Sequence, residues 1–184
     1  YIREIFNQTK DLIGSQSAIA IISIIQVSFV VKQLGPAKYG AVVLLIAVPS
    51  LIFRASHARN SDVNLLTLKD GKNFYFESIF FNLITGIGSF IFCLIIFTNP
   101  LIINSSIGDY FGIETLSSIL IIYLITRIIQ TFSETSKSIL IFNNDLRRYS
   151  ILEVSTVVVR FIAIVLLLLN DPSIENYLLA QSIY

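Results

Sequence analysis

The sequence predicts an all-α, polytopic transmembrane helix bundle, and three observations carry that prediction. Charged residues are only 14 % of the chain and apolar residues 54 %, whereas a water-soluble domain carries about a quarter charged residues. The apolar residues also gather in blocks of the length a helix needs to cross hydrocarbon, about 20 residues. Finally, the bilayer interior leaves backbone N–H and C=O groups no partner but one another, so segments of this kind fold as helices.

Five blocks qualify, at about 12–33, 37–56, 78–99, 115–137 and 150–169, and a sixth span begins near Ile174. They form one transmembrane domain over residues 1–184. The first two spans are joined by "QLGPAKYG", a tight helical hairpin in which Gly35 suits a C-terminal cap and Pro36 the first turn of the next helix. Pro49 falls inside the second span, where it predicts a kink. Asp70–Gly71 marks a turn before the third span, and Phe74, Tyr75 and Phe76 stand at its start. Tyr110 and Phe111 precede the fourth span and Tyr149 the fifth, as interfacial aromatic belts do. The chain has no methionine, starts at Tyr1 and stops inside the apolar stretch "IENYLLAQSIY", so it reads as a fragment of a larger protein. Its first apolar block is too long for a cleavable signal peptide. Cys93 lies between Phe92 and Leu94 within the third span, where it offers neither a disulfide nor a metal cluster.

Lysine and arginine counts set the orientation. With the N-terminus in the cytoplasm, the inner segments hold Arg3, Lys10, Arg54, Arg59, Lys69, Lys72, Lys137, Arg147 and Arg148. The outer loops hold Lys32 and Lys38.

Polar residues repeat along the spans at helical spacing: Gln16, Ser23 and Gln26 in the first, and Asn82, Thr85 and Ser89 in the third. Tyr123, Arg127, Gln130, Thr131 and Glu134 share a face of the fourth, as do Glu153, Thr156 and Arg160 in the fifth. Serine, threonine and amide side chains commonly join membrane helices to one another. Arginine is different, because it costs roughly 2.5–3.5 kcal/mol at the bilayer centre on insertion scales and so faces a bundle interior or an aqueous cavity. Arg127 and Arg160 stand equally far from the link near Asn143 and Asn144, and Glu134 and Glu153 match each other nearer the cytoplasm. At 1.5 Å per residue the acidic level lies about 10 Å from the basic one. Two readings fit this pattern. In one, the arginines bracket a phosphate or pyrophosphate with their guanidinium forks. In the other, Arg127 pairs with Glu153 and Arg160 with Glu134 in a structural lattice.

At the end of the second span, "FRASHARNSDVN" gathers Arg54, His57, Arg59 and Asp62. A proton-coupled role for His57 and a solvated helix end both suit this stretch. The chain holds no glycine-rich phosphate loop, no HExxH, no nucleophile–histidine–carboxylate set and no basic surface suited to nucleic acid. Enzymatic function is not expected, and no cofactor or metal is implied.

From "QLGPAKYGAVVLLIAVPSLIFR" onward the chain resembles the Wzx-type oligosaccharide flippases of the MOP superfamily, to which the MATE transporters also belong. The resemblance rests on an LGxxxYG turn, here Leu34, Gly35, Tyr39 and Gly40, on the "FR" of Phe53–Arg54, and on "NNDLRRYSILEVSTVVVRFIAIVLLLL". It implies a transporter of two pseudo-symmetric lobes around a central cavity, of which this chain is most of the first. The implied activity is movement of an undecaprenyl-pyrophosphate-linked oligosaccharide across the bacterial plasma membrane, with a proton or sodium gradient as the drive. The implied partners are that lipid-linked oligosaccharide, membrane lipids and the polysaccharide polymerase machinery.

By depth and face, Arg127, Arg160 and Arg54 are the expected pyrophosphate ligands, and Glu134, Glu153, Gln130 and Gln26 the supporting polar face. Two other functions compete with the flippase. A MATE-like drug antiporter would favour acidic groups in the cavity, and a non-transporting scaffold would use the buried charges only to fix helix pairing.

Overall fold

The computed structural model describes residues 2–56, 75–98, 118–143 and 145–183. Six helices are seen among them: α1 (Ile2–Leu34), α2 (Pro36–Ser56), α3 (Tyr75–Thr98), α4 (Ser118–Phe142), α5 (Leu146–Asn170) and α6 (Ile174–Gln181), with no strand. The expected Asp70–Gly71 turn, His57, Arg59, Asp62, Phe74, Tyr110 and Phe111 lie outside the described residues.

The links follow from local chemistry. Gly35 takes φ 80°, a left-handed cap that only glycine adopts freely, and its N–H donates to the Val31 carbonyl at 2.9 Å. Pro36 then opens α2, where a missing N–H costs no helical hydrogen bond. Asp145 caps α5 by accepting the Arg148 backbone N–H at 3.3 Å, and Ser173 caps α6 by accepting that of Asn176 at 3.2 Å. Pro49 stays inside α2, which continues to Ser56 although the Leu45 carbonyl loses its usual donor.

Contacts fix the helix directions. Ser15 and Ser150 bring their hydroxyls to 3.2 Å at one end, while Val30 and Leu34 share a core with Ile164 and Leu168 at the other. Helices α1 and α5 are therefore parallel. Asn82 meets Thr131, and Cys93 meets Tyr123 and Leu124, so α3 and α4 are antiparallel.

Two apolar clusters hold the bundle. Val30, Leu34, Val42, Ile164, Leu168, Tyr177 and Ala180 join α1, α2, α5 and α6. Phe53, Cys93, Leu120, Tyr123 and Leu124 join α2, α3 and α4, and Ile46 of α2 packs on both clusters. The short α6 packs against both α4 and α5, which also contact each other.

The outer surface inverts the pattern of a water-soluble protein. Ile24, Leu51, Phe80, Leu166 and Leu169 are all more than half exposed, an arrangement that suits a hydrocarbon solvent. Four stretches are long and apolar enough to cross a membrane: Leu12–Leu34, Pro36–Ser56, Phe76–Phe97 and Leu146–Asn170. The fourth expected span, about 115–137, is described only from Ser118 onward. Helix α4 has the length, 25 residues, but Arg127, Gln130, Glu134 and Lys137 dilute its apolar run and it is not among the four.

Candidate functional site

Arg127 is half-buried on α4 and makes four side-chain hydrogen bonds. Its Nε and Nη2 both donate to the Tyr123 hydroxyl, at 2.9 and 2.7 Å. Its Nη1 donates to Gln130 Oε1 at 2.8 Å, and Nη2 donates again to Ser50 Oγ at 2.8 Å. The guanidinium carbon also stands 5.1 Å from the centroid of the Tyr123 ring, within cation–π range. Tyr123, Arg127 and Gln130 meet because residues three and four apart share a helix face. Ser50 reaches them from α2, immediately after Pro49.

All of these acceptors are neutral. Among the described residues no carboxylate meets Arg127, and its guanidinium is held in place by two hydroxyls and an amide. The alternative pairing with Glu153 is not formed. Glu153 Oε1 instead accepts from Lys137 Nζ at 2.6 Å, across the α4–α5 hairpin and about three turns from Arg127. The side chain of Glu134 lies outside the described residues.

Arg160 belongs to a second polar group. It lies close enough to Tyr177 of α6 for its charge to act on the phenol. The Tyr177 hydroxyl accepts from Gln181 Nε2 at 2.9 Å and from Gln26 Nε2 at 3.4 Å. Gln26 therefore faces Tyr177 of α6 from α1. The Lys137–Glu153 pair sets the hairpin register, and it places Arg160 opposite Gln130, within about a turn of Arg127. The arginines thus share a level approximately, and α6 packs against both of their helices.

Arg54 is exposed in the last turn of α2. It lies four residues beyond Ser50 and so on the same face, one turn nearer the end that also carries Arg147 and Arg148. Sequence reasoning passed over Ser50, Tyr177 and Gln181. Ser50 had one readable signal, being a polar residue beside a proline within an apolar span. Tyr177 and Gln181 stood in a segment read only as apolar.

No protein-family profile, curated protein or solved structure matches the chain.

Proposed function

We propose that the protein is a membrane transporter that moves a lipid-pyrophosphate-linked oligosaccharide across the bacterial plasma membrane, this chain being the first lobe of a two-lobed MOP-type carrier. The observation that carries the reading is Arg127: a cation on a helix of spanning length whose four hydrogen bonds all go to neutral oxygens. An arginine in such a place costs free energy, and a structural arginine would recover it from a carboxylate. One held only by neutral oxygens keeps its charge for an anion that comes and goes. A pyrophosphate oxygen pair matches the guanidinium fork.

In this reading α4 is a fifth span, made tolerable by the polar face it turns to its neighbours, and α6 begins a sixth. The N-terminus is cytoplasmic, because Lys10, Arg54, Lys137, Arg147 and Arg148 sit toward one end of the bundle and Lys32 and Lys38 at the other. The headgroup enters at the basic end, meets Arg54 first and Arg127 one level deeper, while the lipid tail stays in hydrocarbon, where its apolar surface remains buried. Arg160, Gln26 and Tyr177 face the sugar-bearing side of the same path, and an ion gradient resets the carrier.

The test is complementation by the full-length gene in a bacterium that lacks its own flippase. Surface polysaccharide is followed with wild type, Arg127→Gln, Arg160→Gln and the double variant at matched membrane levels. Restoration by wild type and loss with Arg127→Gln is the expected result. Equal restoration by every variant would reduce the arginines to structural residues.

A further inference from the structure

The contacts of Arg127 carry a consequence for how its ligand acts on the fold. A guanidinium has five N–H groups arranged as two forks. The side fork, made by Nε and one N–H of Nη2, is closed by the single Tyr123 hydroxyl. The end fork takes one N–H from each terminal nitrogen, and its Nη2 half is occupied by Ser50 Oγ at 2.8 Å. An anion that binds the end fork with two oxygens needs the N–H that Ser50 holds.

Ser50 is not a neighbour on the same helix. It belongs to α2, follows the buried Pro49, and forms a side-chain hydrogen bond from α2 to α4. Proline removes the rung to the Leu45 carbonyl, so α2 is weakened just before the segment Ser50–Ser56. That segment is held by Arg127, by Phe53 in the shared cluster, and by a 2.8 Å hydrogen bond between Ser56 and Ser89.

We propose that Ser50 is a latch that competes with the anion for Arg127, so that headgroup binding releases α2 from α4 at Pro49. The inference rests on the anion-site reading above and adds the step by which occupancy of the site is converted into a change of helix packing. Tyr123 holds the guanidinium in place while this happens, because its hydroxyl takes the side fork and it lies on α4 with Arg127.

The test uses the full-length protein in detergent, with inorganic pyrophosphate as the probe, titrated calorimetrically into wild type, Ser50→Ala and Arg127→Gln. Removal of the competitor is expected to tighten pyrophosphate binding in Ser50→Ala about tenfold, equal to about 1.4 kcal/mol, and Arg127→Gln is expected to abolish it. Spin labels at the exposed positions Ala55 and Ile141, in a Cys93→Ala background, provide a second readout that does not depend on the Ser50 variant. Pyrophosphate is expected to shift the Ala55–Ile141 distance distribution in the otherwise native protein.

Unchanged or weaker binding by Ser50→Ala, with binding still lost in Arg127→Gln, would overturn the latch and leave the anion site standing. So would an unshifted distance at saturating pyrophosphate. Absence of pyrophosphate binding by wild type would remove the anion site and the latch together.

Discussion

Arg127 and Tyr123, one helical turn apart on α4, are joined twice. Two guanidinium nitrogens donate to the phenol oxygen at 2.9 and 2.7 Å, and the guanidinium carbon stands 5.1 Å from the centre of the same ring. The ring itself is almost fully buried in the cluster with Phe53, Cys93, Leu120 and Leu124. A core aromatic thus anchors a cation that the core alone would reject. Tyr123→Phe keeps the ring and removes the acceptor of two charge-assisted hydrogen bonds. Because hydrogen bonds to charged groups contribute about 1.5–3 kcal/mol, a stability loss of that order is expected. Transport in the complementation assay should fall as the guanidinium loses its orientation. Denaturant unfolding in detergent measures the first, and wild-type stability in the variant would show that the hydroxyl does not hold Arg127.

The ion pair between Lys137 and Glu153 bears on the competing structural reading, in which Glu153 would serve Arg127. Both partners are about a quarter exposed, at 24 % and 23 %, so water screens the pair and its contribution should be no more than about 1 kcal/mol. A double-mutant cycle of Lys137→Gln with Glu153→Gln is expected to return a coupling of about 0.5–1 kcal/mol. The cycle of Arg127→Gln with Glu153→Gln should return a value near zero. Strong coupling in the second cycle would restore the Arg127–Glu153 lattice and weaken the case for a free charge at Arg127.

These pairings show which parts of the molecule can be read from sequence. Helix positions follow from apolar block length, a local property, so α2, α3 and α5 begin and end within a few residues of the expected spans. The Gly35–Pro36 link is equally local, since a positive φ and a missing N–H are properties of single residues. The partners of Arg127 divide along the same line. Tyr123 and Gln130 lie on its own helix at spacings of three and four and were legible on the polar face. Ser50 lies 77 residues away, and only the tertiary arrangement of α2, α3 and α4 around their shared cluster brings it near. Arg160 shows the limit most clearly. Its distance from the hairpin link was readable, but the packing of α6 on α4 and α5, which brings Tyr177 within reach of its charge, is not encoded by any periodicity.

Charge asymmetry predicts the orientation, and chemical labelling checks it. Lys38 and Arg147 are both exposed and lie at opposite ends of the bundle. In a Cys93→Ala background, a cysteine at position 38 should react with a membrane-impermeant maleimide on intact cells. A cysteine at position 147 should react only after the membrane is opened. The reverse pattern would place the N-terminus outside and put Arg54 at the wrong end for a headgroup entering from the cytoplasm.

The contact between α3 and α4 predicts a graded response at Gly86. In a bilayer no hydrophobic driving force presses two helices together, so close approach at small residues and interhelical hydrogen bonds carry the association. Gly86 is buried on the face of α3 that also carries Ser78, Asn82, Ser89 and Cys93. Asn82 Nδ2 donates across the seam to the Thr131 carbonyl at 3.4 Å. A Cβ at position 86 would meet Ile128 Cγ2 at 3.4 Å and Thr131 Oγ1 at 3.5 Å, which is ordinary van der Waals contact. Gly86→Ala should therefore fold normally, and the better helix propensity of alanine could add up to about 1 kcal/mol. Gly86→Leu has no such room. Its side chain would push Ile128 and Thr131 away, stretch the Asn82–Thr131 bond and cost about 1–3 kcal/mol. Because Ile128 adjoins Arg127 on α4, transport should fall in the leucine variant more than its loss of stability alone explains. Unfolding and complementation measured for both variants decide it, and a leucine variant as stable as the alanine one would show that α3 and α4 do not approach closely at this point.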